Sequence, residues 1–179
     1  MGFWISLAIK TLIKSSTGKK KLEDLLVDEL INLISLKEKL DELKNTYESG
    51  QVEIQIESVR AWIEYAKGNN DKAVNFMKLA TELESKTSKA AVTPGEIIPA
   101  EELLGDLYLA LDKPQLALNS YENNLKSRPY RFNGIYGAAK AALKLNNIKL
   151  ASYYFQQLIQ LSPDINNPRP EIIEAKNFL

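Results

Sequence analysis

Histidine and cysteine are both missing from the 179 residues, which narrows the chemistry available to this chain. Without histidine it lacks the commonest general base, the commonest metal ligand and the usual pH-responsive side chain. Without cysteine, disulfides and thiolate metal sites are excluded, although the compartment is not identified. Glu101, Glu102 and Asp106 form an acidic cluster. Oxygen donors alone would suit only a hard cation. Pro99 precedes them, however, and fits a first helical turn, where the positive end of the helix dipole favours Glu101 and Glu102. The helix-start reading is preferred, and no metal site or cofactor is expected. The stretch "SSTGKKK" ends like a phosphate-binding loop but lacks the first glycine and a preceding strand. No catalytic residue is assigned, and the chain is not expected to be an enzyme.

Charge and hydropathy narrow the class further. Lysine and arginine together number 23, as do aspartate and glutamate, so the formal net charge is zero. No global field steers the chain to nucleic acid or to an acidic substrate. An apolar fraction of 45% with 26% charged residues is ordinary for a folded soluble domain and argues against disorder. The N-terminal run "FWISLAI" is too short to span a bilayer and lacks the flanks of a signal peptide. "MGFWIS" meets only the loose pattern for myristoylation.

The elements that would position any site read as helices throughout. Residues 3–14 place Trp4, Ile5, Ala8, Ile9 and Leu12 on one face, and "KSSTGKKK" follows as a breaker and basic linker. Residues 1–21 therefore read as an amphipathic N-terminal helix with a basic linker, either docked on the rest of the chain or lying on an anionic membrane surface. Residues 22–48 form the longest helical pattern, with Leu26, Leu33, Leu40 and Tyr47 recurring every seven, Leu36 and Leu43 between them, and Gly50 as the stop. Helices are then predicted over 51–67, 72–84, 100–111, 115–127, 132–144, 148–161 and 170–178. "KGNND", "LDKP", "SRPY" and "LNNI" serve as turns, and a longer loop surrounds Pro94–Gly95.

Two stretches repeat. Ala117 and Ala151, Tyr121 and Phe155, Leu125 and Ile159, and Pro129 and Pro163 all stand 34 residues apart. Leu104–Gly105 and Tyr108 precede the first set, and Ala138–Ala139 and Ala142 precede the second. An earlier unit, with Ala61, Ala73, Met77 and Ala80, fits after a ten-residue insertion that the Pro94–Gly95 loop supplies. Paired helices at this period resemble the tetratricopeptide repeat. Small residues let two helices approach, an aromatic fills the wedge to the next pair, and a proline ends the second helix. "VRAWIEYAKGN", "VTPGEIIPAEELLGDLYLAL" and "RFNGIYGAAKAAL" are similar to a set of bacterial proteins of this family without a settled function. Members tend to be longer, so the sequence reads as a short member or as the tail of a longer chain.

The resemblance implies an all-α fold, a right-handed superhelix of antiparallel helix pairs (an α-solenoid). The recognisable resemblance covers roughly 51–163; the helical repeat domain is read as 22–179, with repeats near 51–84, 98–131 and 132–165 and a terminal helix at 170–178. It also implies a concave groove lined by the first helix of each pair, binding a protein or peptide. The groove residues would be Ser58, Trp62 and Tyr65, then Glu102, Asp106 and Leu109, then Asn133, Tyr136, Lys140 and Lys144, with Tyr130 and Arg131 beside the third pair. Trp and Tyr offer contact area at low entropy cost, and a groove of both signs suits a peptide of mixed charge better than a phosphate backbone. Trp62 and Tyr65 have a second reading as core side chains packed by the 22–48 helix. The carboxylate clamp of chaperone-tail binders would fall on Ser58, Trp62, Leu103, Asn133 and Gly137, and only Asn133 is of the needed type. Two alternatives stand beside the binding module. One is a self-associating or membrane-surface scaffold, drawing on the leucine seam and the basic N-terminus. The other is a repeat region appended to an activity elsewhere. No nucleic-acid partner is expected, and the chain as given leans to the cytoplasm.

Overall fold

The computed structural model describes residues 16–87, 98–161 and 169–179. The expected helix 3–14, the Pro94–Gly95 loop and Pro163 lie outside them. Eight helices and no strand occur among the described residues. They are α1 (Ser16–Glu42), α2 (Thr46–Ala66), α3 (Asn70–Lys86), α4 (Ala100–Ala110), α5 (Pro114–Ser127), α6 (Phe132–Lys144), α7 (Ile148–Gln160) and α8 (Pro170–Phe178). The chain divides into two compact units, Met1–Leu103 and Leu104–Leu179. No described helix is long and apolar enough to cross a membrane.

In the first unit α1 packs on α2 and α2 on α3. Leu26 and Leu33 of α1, Ile56, Val59, Ala61, Trp62 and Ile63 of α2, and Ala73, Met77 and Ala80 of α3 are buried. Each large apolar side chain so buried contributes about 1.5–3 kcal/mol. The buried Glu84 of α3 accepts a hydrogen bond at 2.8 Å from the Ala100 N–H. A side chain of one helix thus satisfies an otherwise orphaned donor at the start of another.

Three expectations fail in this unit. The helix predicted over 22–48 starts earlier, at Ser16, and ends earlier, at Glu42. The "KSSTGKKK" breaker is therefore helical from Ser16 onward, because lysines are good helix formers and outweigh one glycine. Gly50 is not the stop, since it lies inside α2 with nothing within 4 Å of a Cβ placed on it. Asn45 starts α2 instead: its side chain accepts from the Glu48 N–H at 3.3 Å and donates to the Glu48 carboxylate at 2.8 Å. The leucine seam is also partial. Leu26 and Leu33 are buried, Leu36 and Leu43 are exposed, and Tyr47 belongs to the next helix.

One turn recurs four times. α1, α2, α4 and α6 each end in a pair of nested bonds, the outer ones being Asn45 N to Leu40 O, Asn69 N to Glu64 O, Lys113 N to Tyr108 O and Asn147 N to Ala142 O, at 2.8–2.9 Å. The residue before each donor is left-handed: Lys44 at φ 57°, Gly68 at 84°, Asp112 at 55° and Asn146 at 56°. This is the six-to-one closure that favours glycine or asparagine. Four different residues hold one geometry, so the hairpins, more than the local preference, set the turn.

The second unit repeats itself in register. Ala117 is the fourth residue of α5 and Ala151 the fourth of α7, and Tyr121 and Phe155 are the eighth residues; all four are fully buried. Ala73 and Met77 of α3 hold the same places in the first unit and are as buried. Among the first helices, Leu104, Ala138 and Ile172 are buried, as are Leu107, Ala141 and Ala175, again at steps of 34. α8 therefore continues the pattern of α4 and α6. α5 packs on α6, α6 on α7 and α7 on α8.

Tyr121 shows why the crossings need small residues. A Cβ placed on Gly105 would lie 2.7 Å from its ring, and one on Gly137 only 2.3 Å. The ring is wedged between the α4 and α6 backbones, and its hydroxyl donates to Asp106 at 2.6 Å. Only glycine permits so close an approach on both sides.

Candidate interaction face

The predicted groove residues separate sharply by burial. Trp62 is 2% exposed, Tyr65 7% and Glu102 1%. Ser58 is buried too and donates to the Ile54 carbonyl at 2.8 Å. Trp62 and Tyr65 meet edge to face, with ring centroids 5.6 Å apart. These side chains are buried, and α1 packs on α2. They offer no surface to a ligand in this conformation. Burial also raises the Tyr65 hydroxyl above its ordinary pKa.

Asp106 and Leu109 of α4 are half-buried, and Asp106 is engaged by Tyr121. Tyr130, just after α5, is 79% exposed, and Arg131 is half-buried. What the structure brings together lies on α6. Tyr136 and Lys140, one turn apart, both donate to Glu174 of α8, at 2.6 and 2.5 Å. One turn further, Lys144 pairs with Asp112 at 2.5 Å. At the other end of α6, the Arg169 guanidinium stacks 4.0 Å from the Phe132 ring centroid and makes a long 3.5 Å contact to the Asn133 carbonyl oxygen. Arg169 meets residues 132 and 133, and Glu174 meets 136 and 140, so α8 runs beside α6 in the same direction.

The electrostatics follow from that carboxylate. Burial alone would raise Glu174, but the Lys140 ammonium and Tyr136 hydroxyl donating to it hold it below the ordinary glutamate value. Tyr136 is pushed well above the usual phenol range, first by burial and then by the anion it donates to. Tyr154 of α7 is raised in the same way, by burial and by Glu122, which accepts its hydroxyl at 2.9 Å. Both phenols are therefore fixed as neutral donors. Lys140 and Glu174 remain 41% and 37% exposed, so their ion pair is open to solvent and to competing charges.

Sequence reasoning missed Glu174 and Arg169. A signal was present: Asp106, Lys140 and Glu174 occupy one repeat position at steps of 34. Carrying the period one step past Lys140 lands on its partner. Among the described residues no group of three or more carboxylates is placed to hold a metal ion.

No protein-family model matches the chain, and no curated protein matches it.

Proposed function

We propose that the chain is a non-enzymatic interaction module of the tetratricopeptide type. Its helix pairs continue into a right-handed superhelix, and it binds a protein or peptide through the face of its first helices. The observation that carries this is the ladder of fully buried fourth and eighth residues: Ala73 and Met77, Ala117 and Tyr121, Ala151 and Phe155. Such equivalence is what a stack of identical hairpins requires, since each pair buries its faces only against its neighbours. Within the face, Tyr136, Lys140 and Lys144 replace the buried Trp62 and Tyr65 as the side chains able to meet a ligand. They supply one phenol and two ammonium groups, a set suited to acidic side chains. The test is capture of partners by the intact protein against Tyr136→Ala and Lys140→Ala. Both variants should lose at least one partner; an unchanged set would refute the assignment of the face.

A second reading, self-association, draws on α1. Val27, Ile31 and Ile34 recur on one side of that helix and are exposed, Ile31 by 61%. Sedimentation of Ile31→Lys against the parent chain tests it. A monomer in both cases removes the reading.

A further inference from the structure

The α6–α7 face already holds a helix, and that helix describes what the face accepts. α8 has nine residues. It buries Ile172 and Ala175, sets Phe178 against Phe155 with centroids 5.0 Å apart, and delivers Glu174 to Tyr136 and Lys140. An isolated helix of that length is not stable in water, so its order comes from the surface beneath it. Only Ile172 and Ala175 of its residues are buried and its ion pair to Lys140 is open to solvent, so it can open at the cost of few contacts, without unfolding α6 or α7. We propose that this face is a binding site for a short acidic amphipathic helix of a partner protein, and that α8 is its resident competitor.

The chemistry of the partner follows residue by residue. An aliphatic residue two positions before a glutamate fills the place of Ile172. A small residue after the glutamate keeps the helix close, as Ala175 does. An aromatic four positions after the glutamate reaches Phe155. The glutamate completes the donors of Tyr136 and Lys140, which would otherwise be left without their anion. A ligand in trans competes with a tethered helix at an effective concentration of about 1 mM, so α8 acts as a threshold on affinity. The inference rests on the proposed role of the α6 face and specifies its ligand.

The experiment uses the full chain and a labelled synthetic peptide of residues 169–179, followed by fluorescence anisotropy. In the parent chain α8 blocks the peptide. In the full-length variant Glu174→Arg, Lys140 repels α8 and the face opens; Ile172→Asp releases α8 by a different route and keeps Glu174. Both released chains should bind the peptide at least tenfold tighter than the parent does. A peptide carrying Glu174→Lys should bind them at least tenfold more weakly than the natural peptide. Hydrogen exchange of the parent should show α8 amides opening before those of α6 and α7, and faster still with excess peptide. The inference is overturned if both released chains keep their helical circular dichroism yet fail to take up the peptide. It is equally overturned if α8 exchanges only together with α7. The proposed function would survive either result, provided partner capture still depends on Tyr136 and Lys140. If capture is lost as well, both fall.

Discussion

Gly137→Ala is the sharpest probe of how the second unit is built, because two large effects oppose each other there. In an ordinary helix interior the change removes the entropic penalty of glycine and stabilises by about 1 kcal/mol. Here the new methyl carbon would lie 2.3 Å from the Tyr121 Cζ and 2.4 Å from Cε1, where ordinary contact begins at 3.4 Å. The ring would have to retreat by about 1 Å, and overpacking of this kind costs about 1–3 kcal/mol. It has nowhere to go, since it is fully buried and Gly105 closes the opposite side at a Cβ distance of 2.7 Å. Moving it also strains the 2.6 Å bond from its hydroxyl to Asp106, a charged acceptor whose loss costs about 1.5–3 kcal/mol. Subtracting the propensity gain leaves a net destabilisation of about 2–4 kcal/mol. Urea titration followed by far-ultraviolet circular dichroism reads it. Trp62 is buried in the first unit, so its fluorescence reports that unit. The loss should appear in the dichroism more than in the fluorescence. In a Tyr121→Leu background the clash disappears, and Gly137→Ala should then stabilise by up to about 1 kcal/mol. A stabilising effect with Tyr121 intact would refute the wedge.

Three further outcomes are expected. Lys44→Gly should stabilise by about 0.5–1 kcal/mol in thermal or urea melts, because Lys44 holds φ 57° in a turn that favours glycine. Glu84→Ala removes the acceptor of the Ala100 N–H and should cost about 1.5–3 kcal/mol, read by Trp62 fluorescence in urea. Glu57 is raised above its ordinary pKa, chiefly by burial, with Arg60 offsetting part of the shift and Glu53 adding to it. The folded state therefore holds that proton more tightly than the unfolded one, so this group's contribution to stability falls as pH rises above the ordinary glutamate range. Glu57→Gln should accordingly gain stability relative to the parent at pH 7 and lose that advantage at pH 4.

The helices and their period were legible in the chain itself. Alanine at 117 and 151 and an aromatic at 121 and 155 report close crossings, and side-chain size is a local property. Periodicity of 3.6 residues likewise marks an apolar face without reference to any neighbour. What covers that face is a different question, and only tertiary packing answers it. Trp62 and Tyr65 look alike as groove aromatics or as core, and only their burial in the folded chain separates the two. Gly50 looks like a stop, yet the chain reverses at Lys44, where the backbone accepts left-handed strain to let α1 and α2 pair. Tyr136 and Lys140 look like free donors until α8 brings Glu174 to them from 34 residues beyond Lys140. Composition fixes what each residue can do; which partner it meets depends on contacts between segments far apart in the chain, where no local preference reaches.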